Sequence, residues 1–267
     1  MKKFNNILLL FLISFLLFSC SDDNPTNVNN NDNDKDTIVT SSTHFNLQNL
    51  TILNFEEYSI DSQEVKVPNT TKMGKLEKIK SENIPSLNNI MGIFFDKKYD
   101  NDPKIYSYNY AYDSTKLYLE ADIINDIVNF MTPNILDSMF LLPKDYYKIA
   151  DNNLNSWNAA KITVDKTVES NGTTKNIKGT LNLDMLKTGN LKDYDFQNKK
   201  IKVQEYVGTI NYNGTSTMTQ DLLLNISVDM HFLVNSDYGV VKLWIPYTNI
   251  NLVGMIFKFN GYVFNLR

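Results

Sequence analysis

The sequence predicts a mainly β, antiparallel body with one or two short helices, and three observations carry that prediction. Apolar and polar residues alternate with a period of two along most of the chain after His44. Asn-Gly and Asp-Ser-Thr breaks separate those alternating runs, where hairpins need turns. Stretches with helical period are few. The 267 residues are 42% apolar and 21% charged, a globular composition.

The chain opens with Lys2 and Lys3, followed by Ile7–Phe18, apolar except for Ser14. That run is too short to cross a bilayer, which takes about 20 residues. A charged start, a short apolar core and a small residue before Cys20 read as a signal peptide over residues 1–19. From Cys20 to residue 43 the chain is almost wholly Asn, Asp, Ser, Thr and Lys. Such a segment buries too little to offset its ordering entropy and reads as a flexible tether. Asp32, Asp34 and Asp36 alternate as in a calcium loop, but Thr37 and Thr43 stand where that loop needs Gly and Glu. A solvated linker is the better account.

Residues 44–267 read as a single β-rich domain. Its clearest strand is Leu222–Val234, with Leu222, Leu224, Ile226, Val228, Met230, Phe232 and Val234 on one face. Asn171-Gly172 divides Ile162–Glu169 from Thr173–Leu183, and Asn213-Gly214 divides Ile201–Tyr212 from the long strand. Asp113-Ser114-Thr115 divides Ile105–Tyr112 from Lys116–Ala121. Val240–Tyr247, Ile250–Phe259 and Tyr262–Leu266 add further strands. The helical candidates are Asp122–Phe130 and Asn134–Leu142, beside Pro133 and Pro143. Between Asp61 and Asn89 the pattern is poor, and Lys72, Lys75, Lys78 and Lys80 read as a solvated strand or loop.

Leu17-Phe18-Ser19-Cys20 resembles the lipobox of bacterial lipoproteins, with Phe18 in place of the usual small or aliphatic residue. The resemblance implies that Cys20 becomes the acylated N-terminus, joined by thioether to diacylglycerol and carrying fatty acid such as palmitate. It makes the membrane a partner through the N-terminal lipid and places the protein at the bacterial outer membrane. Several acyl chains anchor durably where one does not. Ser21-Asp22-Asp23 is similar to the acidic export tag of surface-exposed Bacteroidota lipoproteins. Tyr147–Asp151, Ser156-Trp157 and Tyr238–Lys242 resemble elements of β-rich lipoproteins from such bacteria. The order of parts is similar to carriers of the LolA/LppX type. That resemblance implies a strongly curved antiparallel sheet or half-barrel, with helices covering an apolar cavity. It assigns no functional residue.

Composition excludes several functions. With 26 basic against 30 acidic side chains and one arginine, Arg267, the chain lacks a basic face for nucleic acid. The single cysteine rules out internal disulfides and Cys-cluster metal sites, and His44 and His231 are the only histidines. No metal, cofactor or nucleotide motif is present. Ser227, Asp229 and His231 share a strand face with neighbours about 6.6 Å apart, too far for a catalytic relay. Glu56, Glu57, Asp193 and Asp195 offer carboxylates, but sequence adjacency singles out no catalytic pair.

Tyr106, Tyr108, Tyr110 and Tyr112 project from one face of a strand. Such a row lines a lipid cavity or stacks on sugars, or else stabilises a half-buried sheet through cross-strand pairing. The expectation is a non-catalytic, lipid-anchored protein that binds a lipid or other apolar small molecule. The alternative is a surface interaction or carbohydrate-binding module using the aromatic row.

Overall fold

The computed structural model describes residues 44–131, 141–170, 173–216, 223–252 and 255–267. The signal segment, Cys20, the tether with its alternating aspartates, Asn171-Gly172 and most of the second expected helix lie outside these residues.

In chain order the strands are β1 (Ile52–Ile60), β2 (Lys72–Ile84), β3 (Ile90–Tyr99), β4 (Asp102–Tyr112) and β5 (Lys116–Glu120). Helix α1 (Ala121–Met131) precedes β6 (Tyr146–Asp151), β7 (Ser156–Ser170), β8 (Thr173–Phe196) and β9 (Lys199–Ser216). Then follow β10 (Leu223–Asn235), β11 (Gly239–Ile245), β12 (Thr248–Leu252), β13 (Met255–Phe259) and β14 (Gly261–Leu266). Twelve strands form one antiparallel sheet in the order β6-β5-β4-β3-β2-β1-β14-β11-β10-β9-β8-β7, while β12 and β13 make a separate ribbon. The sheet curls until it nearly closes into a barrel. Tyr108 on β4 and Phe264 on β14 stack at 5.4 Å although three strands separate them in the sheet, so the two walls meet across the interior.

Alternation decides what enters that interior. On β10, Ile226, Val228, Met230, Phe232 and Val234 are buried, while Asn225, Ser227 and Asp229 face solvent. Burying Phe232 alone contributes roughly 1.5–3 kcal/mol. The interior is filled with large side chains, among them Tyr110, Tyr206, Tyr212, Phe55, Phe95 and Phe264. Helix α1 presses Ile123 and Ile124 into it. Bordered by Lys97, Tyr108, Ile123, Tyr262 and Phe264 is a space of about 10 Å³, room for one water and not for a lipid chain.

The expected hairpin turn at Asn213-Gly214 is corrected. Strand β9 runs through it to Ser216, and Asn213 and Gly214 pair with Asn225 and Leu224. Gly214 is needed there for a close approach. It faces Gly179 across the ladder, and a Cβ would sit 2.2 Å from the Lys178 carbonyl oxygen and 2.4 Å from the Tyr212 hydroxyl. The Tyr212 hydroxyl donates to that same carbonyl at 3.1 Å. Ile250–Phe259, expected as one strand, is the β12–β13 hairpin. The Asp113 turn stands as read: Asp113 Oδ1 accepts from the amides of Thr115 and Lys116 at 2.7 and 2.8 Å. Leu141 and Leu142 are not helical, and the Asn125 side chain bonds both backbone groups of Leu142 at 2.8 Å.

The sheet edges β6 and β7 follow one another in the chain, and side chains pin them. Trp157 Nε1 donates to the Lys148 carbonyl at 2.9 Å, and the Lys148 ammonium lies 5.0 Å from the Trp157 ring centre. Lys148 also pairs with the buried Asp151 at 2.7 Å. Two of the three sequence elements that resembled lipoprotein motifs, Tyr147–Asp151 and Ser156-Trp157, therefore form the seam, while Tyr238–Lys242 opens β11 inside the sheet.

Candidate functional site

The inward face of β1 reads Leu53, Phe55, Glu57, Ser59, so one carboxylate stands in an apolar register. On β3 the inward residues Ile93 and Phe95 are followed by Lys97 and Tyr99. These strands bring Glu57 and Lys97 together near one mouth of the barrel. Glu57 is 5% exposed and forms an ion pair with Lys97. The Tyr99 hydroxyl donates to Glu57 Oε2 at 2.7 Å, and Tyr262 on β14 also hydrogen-bonds the carboxylate. A buried charge is tolerated only when paired and hydrogen-bonded in this way.

Lys97 has aromatic neighbours on several sides. Its ammonium lies 5.2 Å from the Tyr99 ring centre, 5.3 Å from Phe55, 5.8 Å from Phe264 and 6.0 Å from Tyr108. Ring quadrupoles add to the carboxylate in holding the cation. Burial first, and then the Glu57 charge, push the Tyr99 and Tyr262 hydroxyls well above the usual phenol range.

Above this floor opens a cleft of about 300 Å³, walled by Tyr58, Tyr99, Tyr106 and Tyr262 and edged by Lys72 and Asp126. The Tyr99 and Tyr106 rings meet edge to face at 5.7 Å. The Tyr106 hydroxyl donates to Asp102 Oδ2 at 3.2 Å. Asp126, on α1, is exposed as a residue. Protein atoms nevertheless crowd its carboxyl enough to raise its pKa against the pull of Lys97.

The tyrosine row therefore divides. Tyr108, Tyr110 and Tyr112 are buried in the core, and Tyr106 alone reaches the cleft, half-buried. An open platform of four coplanar rings is not formed, because the row faces the concave side of the sheet. Ser227, Asp229 and His231 lie on the convex side, and Asp229 and His231 have separate partners. Thr209 donates to Asp229 at 2.7 Å, and His231 Nδ1 contacts Glu205 at 3.1 Å while its ring stacks on Trp244. Glu56 points outward, and Asp193 pairs with Lys202 at the surface. Among the described residues no group of three or more His, Cys, Asp or Glu side chains is placed to hold a metal.

Sequence reasoning missed Lys97, Tyr99, Tyr262 and Asp126. The available signal was a charge inside an inward apolar register, at Glu57 on β1 and at Lys97 on β3.

No protein-family model matches the chain, and no curated protein matches it. Among solved structures it is similar to a candidate lipoprotein of Parabacteroides distasonis, at 9% identity and a TM-score of 0.47 over 85% of this chain and 99% of that one. It is also similar to a candidate exported protein with a YmcC-like fold from Bacteroides fragilis, at 6% identity and a TM-score of 0.39 over 84% and 98% of the two chains. No helix among the described residues is long and apolar enough to cross a membrane.

Proposed function

We propose that this protein is a lipoprotein of the bacterial outer membrane, anchored through Cys20, whose body binds a small hydroxyl-rich ligand, of the carbohydrate class, without catalysis. The observation that carries the reading is the convergence of four tyrosines with Glu57, Lys97, Lys72 and Asp126 around one cleft. Ring faces suit the C–H faces of a sugar, and fixed charges at the rim suit its hydroxyls. Among the described residues the barrel interior is packed with large side chains, which favours this ligand over a lipid or other apolar molecule. A non-catalytic role is supported by Glu57, whose oxygens are taken up by Lys97, Tyr99 and Tyr262.

Two arms test the reading. Cys20→Ser moves the protein from the membrane fraction to the soluble one, and retention in the membrane after a carbonate wash overturns the anchor. Titration calorimetry against neutral mono- and disaccharides detects binding that Tyr106→Ala reduces tenfold or more with the melting temperature unchanged. Absence of heat with every saccharide overturns the ligand class.

A further inference from the structure

A second cavity, of about 410 Å³, opens at the opposite mouth, where the chain enters the body at His44 and Phe45. Its polar lining differs in kind from the first. Asn152, Asn153, Gln204 and Ser236 supply neutral groups, His44 and Lys187 supply nitrogen donors, and among the described residues no carboxylate lines it. Lys187 is held at the rim by its ammonium, which donates to the Asn152 carbonyl at 3.3 Å. Nearby carboxylates are already paired: Asp151 with Lys148, and Glu205 with Lys192.

Three exposed leucines lie in or beside the lining segments. Leu154 is 41% exposed, Leu186 50% and Leu191 52%. Leu191 lines the cavity itself; Leu154 follows the lining residue Asn153 in the chain, and Leu186 precedes Lys187 and projects from the adjoining convex face. The Lys187 amide bonds the Asn155 carbonyl at 2.7 Å, which ties the two leucine-bearing segments together. Leu191 lies where the β8–β9 register breaks between Thr188 and Lys192, so the bulge lifts it from the ladder.

We propose that this mouth docks on the membrane surface, with the phosphate of an anionic phospholipid headgroup against Lys187 and the three leucines entering the interface. A cationic point charge suits phosphate, and leucines beside it suit the acyl boundary. The chain that leads back to Cys20 enters the body at this mouth, which makes it the end nearest the anchor along the chain. That last argument rests on the Cys20 anchor; the leucine and Lys187 arguments do not. In this orientation the Glu57 cleft faces away from the membrane.

The test uses the non-acylated Cys20→Ser chain, so that binding reports the body and not the anchor. It is expected to float with vesicles containing phosphatidylglycerol and not with pure phosphatidylcholine. Lys187→Gln should weaken flotation roughly fivefold, as removal of one cation from an anionic surface does. Leu154→Asn, Leu186→Asn and Leu191→Asn together should abolish it. Lys258→Gln, on β13, should leave it unchanged. Circular dichroism and melting confirm that these surface variants fold. Equal flotation with both vesicles, flotation with neither, or an unaffected Lys187→Gln variant overturns the proposal. Free glycerol phosphate supplies the remaining arm. Trp157 packs 6.1 Å from Tyr206, a cavity residue, so its fluorescence in a Trp244→Phe background reports occupancy. A response to free glycerol phosphate without vesicle binding overturns membrane docking in favour of a soluble phosphate ligand.

Discussion

The two mouths of the barrel use polar groups in opposite ways. At one, a carboxylate and an ammonium are buried among aromatic rings, and two tyrosine hydroxyls complete the carboxylate's bonds. At the other, buried charge is confined to the Asp151–Lys148 pair at the seam, and the groups around the cavity itself are amides: Gln204 Nε2 donates to the Thr188 carbonyl at 2.7 Å, and Asn235 Nδ2 to the Lys202 carbonyl at 2.8 Å. Amides bonded to backbone cost little desolvation and fix chain geometry. A buried ion pair costs far more, and replacement by apolar residues is often neutral or stabilising. A fold that needed only to close its ends would use the amide solution at both. Retention of charge in the wall of the Glu57 cleft itself therefore points to a site, and the amide-lined cavity points to architecture that holds Lys187 at its rim.

The largest expected effect tests that contrast directly. Lys97→Met leaves Glu57 buried without its cation and should destabilise the protein by about 3–5 kcal/mol in urea unfolding. The double variant Glu57→Leu with Lys97→Met should recover most of that loss and still lack saccharide binding. A single variant within about 1 kcal/mol of the parent would mean that the pair is solvated, and the contrast between the mouths would fail.

Gln204→Leu at the opposite mouth should cost about 1–3 kcal/mol, because it strips the Thr188 and Gly189 carbonyls of a donor. Its effect should not vary with pH or salt, and saccharide binding at the other mouth should persist. Loss of that binding would show that the two mouths are not independent.

Much of the framework was legible in the sequence because alternation reports a sheet face directly. Ile226, Val228, Met230, Phe232 and Val234 gave the inward set on β10, Asp113 gave its turn through side-chain capping, and Asp122–Phe130 gave α1 within a residue at each end. Alternation does not say which face is concave. The tyrosine row was thus legible as a row but not as core, since closure depends on strands far apart in sequence. Asn213-Gly214 misled for a related reason: the glycine serves a close approach to Gly179, a contact between strands, and not a turn. The site was illegible in the same way. Glu57 meets Lys97 and Tyr99 only because β1, β2 and β3 pair in register, and Tyr262 joins from the last strand.

The smallest effect calibrates what an exposed pair of the same chemistry does. Glu77 lies on the convex face of β2, where hydrogen bonds from Lys75 and then Lys98 hold its carboxyl down to about 2 from an ordinary value of 4.5. A folded-state pKa below the unfolded one contributes stability that is fully present above the unfolded value and is lost as pH falls through about 2. Glu77→Gln should therefore lower the urea midpoint slightly at pH 7, and the two curves should converge as pH approaches 2. Because the pair is exposed, about 1 M salt should shrink the difference, whereas the Lys97→Met penalty should survive it. If salt erased both differences alike, Glu57 and Lys97 would be no drier than Glu77 and its lysines. The argument that buried charge marks the site would then have no footing.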